Sequence, residues 1–386
     1  MSARVVVLGT VARLPFAGVA WQALQYLHGL RALGHDVHYV EDTGDWPYDP
    51  IRHEVTDDPA PAVAYLERAL RAGGFGDRWA YLSAARPDER YGPAGPRLDD
   101  LFASADVLVN LCAATLLRAE HLAVPVRVYL ETDPVTPQIQ MAQGLRAAAE
   151  FLAAHTHHFT YGENFGAPDC GVPTGGFEYR PTRQPIVLDW WRPPAGIANG
   201  RFTTVANWQQ DSKDIEFEGE RYTWSKHHEF LKVIDLPRRA GRALELALAC
   251  GDDAAKRLLA EHGWRVVDAM SLTADLDGYR RYIWGSRGEF TVAKDQNVRL
   301  RSGWFSDRSA AYLVAGRPVV TQDTGFGRIL PTGEGLFAFA TADDAAAAIR
   351  AIDADYDRHA RAAREIGREY FAADRVLGSL MAQVGA

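Results

Sequence analysis

Residues 301–326 read Arg-Ser-Gly-Trp-Phe-Ser-Asp-Arg-Ser-Ala-Ala-Tyr-Leu-Val-Ala-Gly-Arg-Pro-Val-Val-Thr-Gln-Asp-Thr-Gly-Phe. The pattern predicts a polar loop, a helix opening at Ser306 or Asp307, a stop at Gly316, a short buried strand over 318–321 and a second polar loop. At the start of such a helix, unpaired backbone N–H groups and the positive end of the helix dipole face whatever lies before the first turn. Ser306 and Ser309 add hydroxyls, and Arg301 and Arg308 add positive charge, a set suited to a phosphate or diphosphate. An ordinary serine-capped helix with solvated arginines presents the same local residues.

Acidic residues cluster where strands are expected to end. Glu41-Asp42-Thr-Gly-Asp45-Trp46-Pro-Tyr48, Glu131-Thr132-Asp133-Pro134 and Gly162-Glu163-Asn164 each follow a short apolar run. A carboxylate at such a position serves as a general base when it borders a cleft, and equally serves as a helix cap or salt-bridge partner. Asp133 is the first candidate and Glu131 the second, because the proline after Asp133 forces an abrupt turn that holds the acid at the strand end. Lys226 lies near a predicted helix opening, where a lysine can bind phosphate and equally can be a solvated surface charge, and Lys294 follows the predicted strand 289–292. Gln322 and Asp323 follow the strand 318–321 and offer amide and carboxylate groups to sugar hydroxyls, and a turn forced by Gly325 would give the same local sequence. The histidines at 155, 157 and 158 match no zinc spacing and have no nearby cysteine, so no metal site is expected.

The elements that must position these residues alternate. A β-branched run over 5–8, a helix with apolar residues at Trp21, Leu24, Leu27, Leu30 and Leu33, a stop at Gly34 and a second run over 37–40 make a βαβ unit. Further strands are predicted at 107–111, 126–130 and 157–161, then at 202–206, 244–248, 264–267, 289–292 and 318–321, with helices between and a helical stretch over 342–370. This is an α/β chain of two Rossmann-like domains with parallel sheets facing a central cleft. The expected boundaries are 1–175, a proline-rich linker at 176–198, 199–370, and a tail at 371–386 that returns to the first domain.

At 386 residues the chain has room for two domains, and 47% hydrophobic residues supply two cores. A formal charge of -8 argues against a duplex nucleic-acid binder, which would carry a basic footprint. Three widely spaced cysteines and no long apolar run predict a soluble, cytoplasmic protein without membrane insertion.

The motifs Gly18-Val-Ala-Trp21, Gly29-Leu-Arg-Ala-Leu-Gly-His-Asp36-Val-His-Tyr-Val40 and Tyr312-Leu-Val-Ala-Gly316-Arg-Pro-Val-Val320 with Asp323-Thr-Gly325 resemble the glycosyltransferase-B superfamily. The resemblance implies transfer of a sugar from a nucleotide diphosphate sugar to a small-molecule or saccharide acceptor, with no cofactor and no obligatory metal. By matching position, residues 306–309 (Ser306, Asp307, Arg308, Ser309) and Lys226 would meet the diphosphate, together with Arg301. The Lys294 loop would meet the nucleobase or ribose, and Gln322, Asp323 and Thr324 the transferred sugar. The acceptor would enter against Phe16, Trp21, Trp46 and Tyr48, with Asp133 as base if the reaction inverts. One departure stands out: Gly303 and Ala311 occupy the positions where many retaining members carry paired glutamates. A sugar-nucleotide epimerase on the same scaffold and a catalytically silent binding or partner protein remain open readings, the second favoured by the missing pair.

Overall fold

The computed structural model describes residues 2–194, 200–210 and 213–386. The last part of the expected linker, 195–198, lies outside the described residues.

Strands β1 (Arg4–Leu8), β2 (Asp36–Glu41), β3 (Trp79–Ser83), β4 (Arg86–Tyr91), β5 (Val107–Leu111), β6 (Val126–Glu131), β7 (His157–Thr160) and β8 (Tyr179–Pro181) form one sheet. Its order is β8-β7-β6-β5-β1-β2-β3-β4, parallel throughout except for the β3–β4 pair. A second, all-parallel sheet contains β9 (Phe202–Asn207), β10 (Leu244–Ala249), β11 (Trp264–Asp268), β12 (Gly288–Thr291), β13 (Val319–Gln322) and β14 (Leu336–Phe339), in the order β11-β10-β9-β12-β13-β14. The central strands are buried on both faces, which is why they read as unbroken apolar runs such as Val5-Val-Val-Leu8.

Four strands of these two sheets were not expected from the sequence. Strand β4 is Arg-Pro-Asp-Glu-Arg-Tyr, an exposed polar edge with no apolar alternation. Its partner β3 and the edge strand β14 also went unread. Strand β8 lies within the proline-rich stretch expected as linker; it pairs with β7 at the sheet edge, where Pro181 is opposite Thr160 and its missing N–H leaves no second neighbouring strand unpaired.

One continuous apolar core joins the two sheets, running from Val5, Leu24 and Leu27 to Tyr279, Ile283 and Ala311. The last helix, Ala373–Val384, lies across the first, Ala17–Ala32. Gly29 permits this approach: a Cβ there would stand 2.4 Å from the Leu377 side chain.

Candidate active site

The C-terminal ends of β9, β10 and β12 face the loop after β1 across a cleft of ≈ 350 Å³. Phe16, Gly18 and Gln22 line it from the first sheet's half. The opposite wall carries the uncharged residues Asn207, Gln210, Ala249, Met270 and Thr273 and the groups Lys226, Lys294, Ser306, Asp307 and Arg308.

The cations differ in what holds them. Lys226 makes no ion pair among the described residues; its ammonium lies 5.4 Å from the Trp304 ring. Burial, with Arg308 and Lys294 nearby, pulls its pKa down to about 7. Lys294 sits 3.1 Å above the Trp224 ring and is ion-paired with Asp133 from the other half of the molecule. Burial lowers it to about 8 against the opposing pull of that carboxylate. Arg308 turns inward: its guanidinium donates to Glu289 Oε1 at 2.5 Å, Val205 O at 2.6 Å and Thr291 Oγ1 at 2.9 Å. The arginine thus ties the first turn of the helix Asp307–Val314 to β9 and β12, and shares its charge with the fully buried Glu289.

Ser306 caps that helix with a free side chain and borders the cleft. Ser309, by contrast, is wholly buried, and its hydroxyl has no partner. The other residues expected at the ligand do not border the cleft, and their polar groups are already engaged. Gln322 spans Ala293 N at 3.2 Å and Glu229 Oε2 at 2.6 Å. Thr324 donates to Trp304 O at 2.6 Å. Asp323 pairs with Arg301 at 3.0 Å, and Arg301 also holds Asp169 at 2.9 Å.

Three carboxylates sit near the cleft in different states. Glu131 is sealed at the end of β6, accepting from Gln138, Thr160 and Tyr129, and burial lifts it to about 7. Its oxygens are thus engaged at the sheet end, and it does not line the cleft. Asp133 gives one oxygen to Lys294, while the other is buried without a partner. The turn that carries it is strained: Val135, two residues on, has φ 97° and is held by its N–H to Gln138 Oε1 at 2.7 Å. Asp307 lines the cleft itself and accepts from Gln22 Nε2 at 3.0 Å. Burial raises it to about 6.

The aromatic set expected for the acceptor is split. Phe16 borders the cleft with Tyr48 packed 5.7 Å away, and Trp46 is half exposed. Trp21 instead turns into the interior, donating to Leu276 O at 3.0 Å and packing on Trp190 and Trp191. Gln22, Tyr279, Met270 and Thr273 line the cleft without having been read from the sequence. Gly18 makes ordinary contact across it, its Cβ position lying 3.7 Å from the Tyr279 hydroxyl.

Gly303 explains the missing glutamate in steric terms. Its φ is +82°, and a Cβ would lie 2.4 Å from the Asn164 backbone N in the other half of the molecule, so no side chain fits. Ala311 is buried against the first helix, in the small cavity shared with Gln22 and Tyr26. Elsewhere, His155 and His158 are buried and bonded to backbone oxygens. Asp42, Glu120 and His121 come close enough to share a cation, but Arg118 already pairs with both carboxylates.

No family model matches the sequence, and no curated protein is similar to it. Solved structures are similar in fold over their whole length. One is AviGT4, a glycosyltransferase involved in avilamycin A biosynthesis, at 14% identity and a TM-score of 0.54 over 99% of this chain and 97% of that one. Another is Anabaena HepE in complex with UDP and glucose, at 11% identity and 0.58 over 100% of both. A third is an alpha-glucosyltransferase in complex with UDP and a 13-mer DNA, at 11% identity and 0.61 over 100% of both. Two sheets with their strand ends turned to one cleft, matched end to end by these enzymes, give the chain the glycosyltransferase-B fold.

Proposed function

We propose that the protein transfers a sugar, a hexose or a close relative, from a nucleotide diphosphate sugar to a small-molecule or saccharide acceptor in the cytoplasm. The observation that carries this reading is the Lys226 ammonium in the cleft, which makes no ion pair among the described residues, beside Lys294 and the open end of the helix Asp307–Val314. A cation partly withdrawn from water is favoured by an anion that shares its site. A diphosphate fits it, and its negative charge is then met by an ammonium and backbone N–H groups, with no metal required. The uncharged residues, Met270 and the Asn207 and Gln210 amides among them, suit a base and ribose attached to that diphosphate.

On this reading Lys226 stabilises the departing diphosphate, and Arg308 acts behind it by fixing the helix end and supplying positive potential. Asp133 orients Lys294 across the cleft. Arg301, Gln322, Asp323 and Thr324 shape the loops beneath the sugar through the bonds they already make.

Calorimetry with UDP-glucose and other sugar nucleotides tests the reading. Wild type is expected to bind at least one of them, and Lys226→Met to bind it about 10- to 100-fold more weakly, the worth of a charge-assisted hydrogen bond. Binding to none of them by wild type would sink the proposal. Product analysis with donor alone separates transfer to water from isomerisation of the sugar.

A further inference from the structure

The three carboxylates at the cleft are not equivalent as proton acceptors. Glu131 has its oxygens filled by Gln138, Thr160 and Tyr129. Asp133 is paired with Lys294, its other oxygen is buried with no hydrogen-bond partner among the described residues, and it does not line the cleft. Asp307 alone lines the cleft, and it also lines the small cavity behind it. No cation forms a salt bridge with Asp307 among the described residues, since the neighbouring Arg308 is committed to Glu289. Its position is set from the opposite half: Gln22 donates to Oδ2 at 3.0 Å, and Gln22 Oε1 in turn accepts from Cys112 Sγ at 2.9 Å. Cys112 is itself held in a left-handed conformation (φ 61°) at the end of β5 and accepts from Thr132 Oγ1 at 3.2 Å. A fixed carboxylate at the junction of the two halves stands where an acceptor from one side meets a donor from the other.

We propose that Asp307, rather than Asp133 or Glu131, accepts the proton of the attacking acceptor hydroxyl, with Gln22 as its positioning residue. The inference rests on the transfer reading above and deepens it. The hydroxyl oxygen bonds to the anomeric carbon as the bond from that carbon to the diphosphate oxygen breaks. The bonding pair leaves with the nucleotide diphosphate, and the hydroxyl proton passes to the Asp307 carboxylate.

The groups that face Asp307 are Arg308 on its own helix, Asp133 after β6, Tyr26 on the first helix, Cys112 after β5, Tyr161 after β7 and Tyr279. Arg308 stabilises its charge and Asp133 opposes it, but burial dominates and leaves the carboxyl at about 6. Turnover should therefore lose activity on an acid limb near pH 6, as protonation removes the base.

The test uses UDP-glucose, with water as acceptor, in wild type, Asp307→Asn, Asp307→Glu and Asp133→Asn. Asp307→Asn is nearly isosteric and should keep its melting temperature and UDP-glucose affinity while turnover falls by about 10²- to 10⁴-fold and the acid limb disappears. Asp307→Glu should recover part of the rate with a displaced limb. Full turnover with an unchanged limb in Asp307→Asn overturns the proposal, as does loss of the limb in Asp133→Asn alone. A fall in affinity with unchanged kcat would show a binding role and overturns it too. Failure of wild type to bind UDP-glucose is read separately by calorimetry; it removes the transfer reading for that donor and this proposal with it.

Discussion

Lys226 makes no ion pair among the described residues, and burial, with Arg308 and Lys294 nearby, draws its pKa down to about 7. A diphosphate would favour the charged form, so binding takes up a proton wherever the free lysine is partly neutral. The sign follows: affinity for UDP-glucose, whose diphosphate does not titrate in this range, should be greatest below pH 7 and fall as pH rises through it. Isothermal titration in two buffers of different ionisation enthalpy would show the proton uptake, and a pH-independent affinity would contradict the assignment. Lys226, Lys294, Ser306 and Arg308 were legible because charge beside a helix start or a strand end has a local signature. Gln22 and Tyr279 were not. The Gln22–Asp307 bond joins residues 285 positions apart, and an amide in an ordinary amphipathic helix carries no sign of such a partner.

At the level of elements, the cleft-facing end of the helix Asp307–Val314 is only as well placed as the ties beneath it. Arg308 and Glu289 form a pair with side chains 12% and 0% exposed. Removing one member leaves a buried charge without compensation, so Arg308→Met should cost about 3–5 kcal/mol in urea unfolding, far beyond the loss of a surface arginine. A cost under about 1 kcal/mol would mean that Glu289 is neutral or solvated in the native state. The turn before the helix is equally constrained. Gly303→Ala introduces an unfavourable φ and a contact with Asn164 N, and should cost at least about 1–3 kcal/mol by the same measurement. The sequence showed Gly303 as a departure from a family pattern, but only the fold shows that Asn164 fills the space where a glutamate would stand. The same division holds among strands. Fully buried β1, β5 and β6 were readable from apolar runs, whereas β4 has only edge pairing to define it and β8 is hidden in a proline-rich segment.

Across the whole molecule, the two sheets are joined far more tightly than a hinge requires. A single apolar core contains residues from both, and the polar ties cross between them at Trp21–Leu276, Trp304–Thr132, Gln296–Pro134 and Asn164–Arg301. The chain also passes back: Ile186 bridges to Ala372, and the final helix buries Leu377, Leu380 and Met381 against the first sheet's half. Neither half can unfold without exposing apolar surface on the other. The expectation is one cooperative thermal transition rather than two, even without ligand. Leu377→Ala sharpens the test, because Leu377 is fully buried in the core and packs over Gly29. It should cost about 2–5 kcal/mol and shift the whole transition downward. Calorimetry that instead showed a second, unshifted transition would mean that the sheets unfold independently and that the shared core contributes little. A single shifted transition would mean that the cleft walls, including the Lys294–Asp133 and Asp307–Gln22 contacts across it, are held in register before any substrate arrives.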